Sequence, residues 1–307
     1  CGMKMEKKFK ISILTPTYNR AELLKRLYSS LVKNCKENLE IEWLIMDDGS
    51  KDETKIVVEN FLKEDFIKIK YQYQENQGKM AAINHLVPQA TGDVIIECDS
   101  DDYFTENAFE IVESEYKKVK DKEEFYAVCF LKYDQNFQNL GKEFPKSETT
   151  MFDLYFKEGE DGEKALVFFT PIRKKYHYEL EKNERFITEA RMFHKMDEDY
   201  QIWCVNKPIM ICEYQKDGYT KNILKQFREN PNGYYFYFKE ILQKNMKGVS
   251  FQKRLYTIKH YILFYTLTKR KGILKEIYGL WNKILIVLLY LPGKIVTKIK
   301  FSRKKSE

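Results

Sequence analysis

Apolar positions along the first hundred residues change period in a regular way. Residues 11–15 form a short apolar run, and Leu23, Leu24, Leu27 and Leu31 then recur at helical spacing. A continuous run followed by a 3.6-residue period reads as a strand leading into an amphipathic helix. Further runs follow at 41–46, 67–73 and 94–98, with helical segments at about 53–62 and 80–86 between them. Asn19 with Glu22, and Ser50 with Glu53, have the spacing of a capping box that opens a helix. This alternation predicts a parallel sheet with crossover helices, of Rossmann-like type. Ligands of such sheets bind at the carboxyl ends of the strands, so the polar residues after each run carry the candidate chemistry.

The pattern then loosens. Thr105 is placed to cap a helix to about Lys120, and strands are expected at 125–131, 165–170 and 208–214, with charged loops such as 157–164 between them. These extend the same sheet. From Lys221 onward the chain reads as helical and aromatic, at 234–238, 261–267 and 281–291, and no internal repeat is found.

Composition narrows the class. With 43% hydrophobic and 32% charged residues and only 13 Gly and 7 Pro among 307, the chain is neither disordered nor collagen-like. Its net charge of +7 is divided unevenly. Residues 221–307 hold 20 Lys and Arg against 4 acids, a net +16, which leaves −9 for residues 1–220. Six cysteines form no CxxC pair and no zinc spacing with the four histidines, and three lie in apolar runs. They point to a reducing compartment and free thiols. The first five residues lack an apolar signal segment, so nothing suggests export.

The strongest chemical signal is the run 94–98 delivering Asp99, Asp101 and Asp102. Clustered carboxylates repel one another unless a cation joins them, and Mg²⁺ or Mn²⁺ shared with a diphosphate suits such hard oxygen donors. Asp197-Glu198-Asp199 repeats the pattern but precedes the apolar run 202–205, at the wrong end of a strand, and reads as surface charge. Thr15-Pro16-Thr17-Tyr18-Asn19, Asp47-Asp48-Gly49-Ser50 and Glu75-Asn76-Gln77-Gly78-Lys79 follow the first three runs. An aromatic ring can stack on a base, a carboxylate can accept from a base N–H, and a lysine can meet a phosphate. Each alone has a plain alternative: a staple at a helix start for Tyr18, a turn for Asp47 and Asp48, a loop for Gly78-Lys79. Four at successive strand ends are much less expected by chance.

TPTYNR, MDDGSKDET, ENQGKMAAINHL and GDVIIECDSDDYF, in this order, resemble the nucleotide-binding half of family 2 glycosyltransferases with the GT-A fold. The resemblance is close over residues 10–110 and looser to about 220. It implies an α/β, mixed but mainly parallel sheet flanked by helices, with a C-terminal helical extension. Residues 1–220 would be the catalytic domain, with a nucleotide-binding half at about 10–105 and an acceptor half at 106–220. Residues 221–307 would be a separate basic region.

The resemblance further implies a nucleotide site at Thr15, Pro16, Tyr18, Asp47, Asp48, Gly78, Lys79 and Asp99, and a divalent metal at Asp101, Asp99 and Asp102. No GxGxxG or GxxxxGK is present to suggest a dinucleotide or triphosphate loop. Family chemistry is displacement at the anomeric carbon with inversion, helped by a general base. Residues 184–191 resemble the segment carrying that base, which makes Glu189 the candidate, although Thr188-Glu189 stands where the family commonly has Glu-Asp. Asp199 is the fallback, and a carboxylate meeting a helix dipole is the plain reading of Glu189. Residues 217–220 resemble the loop that closes over donor and acceptor. His85 and His194 read as packing or surface residues, and His177 as a weak candidate for acceptor contact.

In the tail, residues 284–293 carry no charge, yet ten residues cannot cross a bilayer that needs about 20. Trp281, Leu285, Ile286, Leu288, Leu289, Tyr290 and Leu291 stand beside Lys283, Lys294, Lys298, Lys300 and Arg303, the make-up of a segment lying on anionic lipid. Nucleic acid would use the same charge but leaves the strand-end acids unexplained.

The expectation is therefore an inverting, metal-dependent transferase using a nucleotide-sugar, UDP-linked by preference, and a glycan or lipid-linked acceptor. It would serve bacterial surface polysaccharide synthesis in the cytoplasm, peripherally on the inner face of the membrane. An oligomer contact through the aromatic helices is left open. The alternatives are a non-catalytic sugar-nucleotide-binding or scaffold protein, and a nucleotidyltransferase.

Overall fold

The computed structural model describes residues 8–213, 215 and 222–302. In chain order β1 (Phe9–Thr17), α1 (Ala21–Lys33), β2 (Leu39–Asp47), α2 (Thr54–Glu64), β3 (Lys68–Tyr73), α3 (Lys79–Leu86) and β4 (Val94–Glu97) alternate, as the periodicity predicts. Then come β5 (Tyr103–Phe104), α4 (Ala108–Val119), β6 (Phe125–Tyr133), β7 (Glu148–Thr149), α5 (Met151–Phe156), β8 (Lys164–Phe169), α6 (Thr170–Arg173), α7 (Glu189–Met196) and β9 (Gln201–Ile211). All nine strands form one sheet in the order β3-β2-β1-β4-β8-β6-β9-β5, with β7 pairing β9. Strands β3, β2, β1, β4, β6 and β9 share one direction, and β8, β5 and β7 run against it.

Strands β1, β2 and β4 are buried along nearly their whole length because helices cover the sheet, and most of their residues are apolar. The stripe Leu24, Leu27 and Leu31 of α1 is fully buried, and the Tyr28 ring stacks on Phe61 of α2 at 4.1 Å, beside Trp43 of β2. Cys98, Cys129, Cys204 and Cys212 are buried free thiols and Cys35 is exposed. His194 is buried edge-on against Phe152 and Phe156, His85 accompanies Gln74, and His177 is exposed.

The chain divides into two units. One holds the described residues up to Tyr178 and those from Met192 to Gln215; the other holds Glu179–Arg191 and the residues after position 221. The second unit contains α8 (Ile223–Glu229), α9 (Pro231–Gln243), α10 (Phe251–Leu267) and α11 (Leu280–Ser302). Tyr234, Tyr235 and Phe238 of α9 pack on Tyr261 and Phe264 of α10, so these three of the 234–238 aromatics are core.

Several local readings are corrected. Neither capping box forms. Asn19 is left-handed at φ 53°, accepts from the Lys51 N–H and donates its own N–H to Ser50 Oγ, both at 2.8 Å. Asp52 replaces both caps: one oxygen accepts from Ala21 N–H at the start of α1, the other from Thr54 N–H and hydroxyl at the start of α2. Thr105 donates its hydroxyl to the Pro208 carbonyl, and α4 starts three residues later, after Asn107. The runs 202–205 and 208–214 are one bulged strand, β9, as far as Ile211, and Tyr214 lies outside the described residues. Asp197 is more than surface charge: it accepts from the Met151 and Phe152 N–H groups at the start of α5, and from Tyr126 OH.

Candidate active site

The loops after β1, β2, β3 and β4 are knit together at one sheet edge, largely through Asp48. Its N–H donates to the Thr17 carbonyl at 2.8 Å. Its Oδ1 accepts from Gln74 Nε2 and the Gln77 N–H, both at 2.7 Å, and its Oδ2 from the Gly78 N–H at 2.8 Å. Asn76 donates its side-chain N–H to the Asp48 carbonyl. Three accepted bonds leave one of the roughly four acceptor positions of a carboxylate. Asp47 is likewise occupied, accepting from Ser50 N–H and Tyr71 OH, and that bond with burial pushes the Tyr71 phenol above its ordinary pKa. The acidic turn is thus first a device that holds the loops.

Thr15 and Pro16 lie inside β1, both buried, and the Thr15 hydroxyl accepts from Trp43 Nε1 at 2.9 Å. Tyr18, just past the strand, is 44% exposed, so its ring is free to stack on a flat ligand. Gly78 precedes α3 at φ 94°, a conformation only glycine adopts cheaply, which lets its N–H face Asp48. The next residue, Lys79, places its ammonium 2.6 Å from Asp99 Oδ1 and 2.8 Å from Oδ2.

The three acids after β4 are differently placed. Burial raises the pKa of Asp99, but Lys79 outweighs it and holds the carboxyl below its ordinary value. Asp102, expected as a third metal ligand, is buried and accepts from Lys132 Nζ at 2.8 Å, with Glu163 at 3.5 Å from the same ammonium. Burial lifts the Asp102 pKa despite Lys132. Asp101 forms no salt bridge among the described residues, and burial together with the charges of Asp99 and Asp102 pushes its pKa up to about 6. It is the acid most in need of a cation. Among the described residues no group of three or more His, Cys, Asp or Glu side chains could hold a metal alone. The donor set, hard oxygens with surplus negative charge at Asp101, fits a divalent ion completed by a phosphate ligand.

Other residues of this site carry no sequence signal. Arg26 of α1 donates to the Asp101 carbonyl at 2.7 Å, pairs with Glu213 and lies over the Tyr103 ring. Fully buried Arg173 donates to Glu97 Oε1 at 2.6 Å and Tyr178 OH to Oε2 at 2.7 Å, bracing the end of β4. Such pairs join residues from 75 to 187 positions apart, where periodicity and spacing are silent.

Glu189 is the first residue of α7, half-buried, and belongs to the second unit. Its segment is fastened within that unit. Glu184 accepts from the N–H groups of Asn232 and Gly233 at the start of α9, each at 2.7 Å, and Arg191 forks onto Glu240 at 2.8–3.0 Å. Asp199, the fallback, is exposed beside Tyr176. The 217–220 loop lies outside the described residues.

An uncharacterized glycosyltransferase of Mycoplasma genitalium is 26% identical over 76% of this chain and 70% of its own. A GalNAc(5)-diNAcBac-PP-undecaprenol beta-1,3-glucosyltransferase of Campylobacter jejuni is 38% identical over 30% of each chain. Among solved structures, the 1–349 portion of S. aureus TarS with UDP-GlcNAc superposes with a TM-score of 0.57 at 16% identity, covering 96% of this chain and 92% of that one. The present chain spans 54% of the longer TarS chain. The mannosyltransferase PcManGT of Pyrobaculum calidifontis, with GDP-Man and Mn²⁺, gives 0.54 at 14% identity, covering 97% and 88%. The architecture is that of the GT-A glycosyltransferases, with a helical C-terminal region. The glycosyl transferase family 2 profile matches residues 12–181, more than half of the sequence, and the chain belongs to that family.

Proposed function

We propose that the protein transfers a sugar with inversion from a UDP-linked donor to a hydroxyl of a glycan or lipid-linked acceptor, in bacterial surface polysaccharide synthesis at the inner face of the cytoplasmic membrane. The observation that carries the reading is the convergence of Tyr18, Asp48, Lys79, Asp99 and Asp101 on one sheet edge. Tyr18 stacks on the base, and Asp48 holds the loop beneath it with one acceptor position left for a base N–H. Lys79 supplies positive charge for a phosphate. The UDP-GlcNAc bound by TarS supports a UDP donor, and the undecaprenol in the Campylobacter relative's name supports a lipid-linked acceptor.

Asp101 and Asp99 would hold a Mn²⁺ or Mg²⁺ ion, with Asp102 committed to Lys132. Such an ion, when bound, neutralises charge growing on the leaving diphosphate. Glu189 takes the proton of the acceptor hydroxyl; that oxygen bonds to the anomeric carbon as the carbon–phosphate-oxygen bond breaks, and UDP departs. Incubation with a panel of sugar nucleotides, Mn²⁺ and lipid-linked acceptors should release UDP and lengthen one acceptor. No release with any donor, from protein that UDP does not stabilise against heat, would refute the reading.

A further inference from the structure

Helix α11 is apolar on two opposite faces, and among the described residues only one of them is covered. On the covered side Ile286 is fully buried, Thr297 nearly so, and Gly293 lies against Ile262 of α10. A methyl group at Gly293 would stand 2.9 Å from Ile262 Cγ2, so glycine permits the close approach of the two helices. On the other side Leu280, Ile284, Leu288, Leu291 and Ile295 repeat at intervals of four, four, three and four residues. That repeat makes a single stripe along the helix. These five side chains are between 38% and 73% exposed, and Trp281 at the helix start is 71% exposed.

A bare stripe this long calls for an occupant. Among the described residues no helix is long and apolar enough to cross a membrane, so the stripe is not a span. Its charges choose between the remaining occupants. Residues 280–302 contain Lys283, Lys294, Lys298 and Lys300 and no acid. A second copy of the same face would bring lysine to lysine with no carboxylate on the helix to answer. An anionic lipid surface answers Lys294 and Lys298, which flank the stripe, and takes the aliphatic side chains and the tryptophan into its headgroup boundary.

We propose that the bare face of α11 docks in the plane of an anionic lipid surface. The inference rests on the membrane-side reading above and deepens it by naming the docking face and the lipid charge. The test floats the full chain with phosphatidylcholine vesicles containing or lacking about 30% phosphatidylglycerol, and measures stabilisation by UDP and Mn²⁺ in parallel. The expected result is flotation with the anionic vesicles only, falling roughly tenfold or more when salt is raised well above 0.1 M. Leu288→Glu with Leu291→Glu, at exposed positions that folding does not use, should abolish flotation and leave the UDP response unchanged. Absence of wild-type flotation, equal flotation of the variant, or a wild-type dimer that the variant dissolves would each overturn the proposal. A UDP response without flotation defeats this inference alone, whereas flotation without a UDP response defeats the sugar-transfer reading and leaves the docking face standing.

Discussion

Lys132 Nζ lies 2.8 Å from Asp102 Oδ2, and both side chains are almost inaccessible to water, at 12% and 4%. Burial alone would lower the lysine pKa, but Asp102 and Glu163 hold it well above its ordinary value, so the ammonium keeps its charge. Removing one partner strands the other. Lys132→Met should lower stability by about 3 kcal/mol, and Lys132→Met with Asp102→Asn by clearly less, because the double change leaves no lone buried charge. Urea denaturation of the three proteins measures this; equal losses in the single and double variants would show that the pair is not the source.

The Asp101 carboxylate, by contrast, forms no salt bridge among the described residues, and the bond from Arg26 goes to its backbone carbonyl, which a substitution keeps. Asp101→Asn should therefore fold with nearly wild-type stability, yet lose about 100-fold or more in transfer rate, the size of effect seen when charge stabilisation at a leaving group is removed. Its thermal stabilisation by UDP should also cease to depend on Mn²⁺. A variant that keeps both the rate and the Mn²⁺ dependence would remove Asp101 from the metal site.

Strand and helix order was legible over residues 9–97 because β1, β2 and β4 are nearly continuous buried runs, β3 is a short run of strand-forming residues and α1 has one apolar stripe. The strand-end residues were legible for the same reason: a parallel sheet forces them to one edge. What they bond to was not. Asp48 is spent largely on Gln74, Gln77 and Gly78, and Asp102 on Lys132, because a buried carboxylate recruits whichever donors the fold brings near. Helix caps failed in the same way. Asp52 serves two helices at once, a contact between α1 and α2 that local spacing does not encode.

Glu189 opens α7, where a carboxylate both suits the helix dipole and can accept a proton. The two roles part in Glu189→Gln. A general base contributes roughly 100-fold or more, so turnover should fall by that factor while the affinity for UDP stays within about twofold. Loss of thermal stability with unchanged turnover would make Glu189 a capping residue only.

At Glu42 the chain predicts its own acid sensitivity. This buried carboxylate accepts from Ser12 OH, Thr91 N–H and Thr91 OH and meets Lys10 at 3.3 Å. Burial raises its pKa, but the hydrogen bonds and Lys10 outweigh burial, and the folded value lies below the ordinary carboxylate. The unfolded chain then binds the proton more readily, so the stability from Glu42 is full above the unfolded pKa of about 4.3 and fades as pH falls through the folded value. Glu42→Gln should be less stable at pH 7, with the gap narrowing towards pH 3. A gap constant between pH 7 and 3 in urea titrations would contradict the assignment.

Glu184 and Asn230 fasten the Glu189 segment from both sides. Glu184 accepts from the Asn232 and Gly233 N–H groups that open α9, and Asn230 Oδ1 accepts from the Arg185 and Phe186 N–H groups in return. Four backbone donors, two at the start of a helix, thus depend on two side chains, each within three residues of the other's targets. Glu184→Ala and Asn230→Ala should each cost about 1–2 kcal/mol, the usual range for a lost cap. Because the clamp works as a unit, the double variant should cost at least about 0.5 kcal/mol less than the sum. Glu189 lies five residues beyond Glu184, so Glu184→Ala should also slow turnover more than it weakens donor affinity. Strict additivity, or a turnover equal to wild type, would mean that the clamp stabilises the helices without positioning the base.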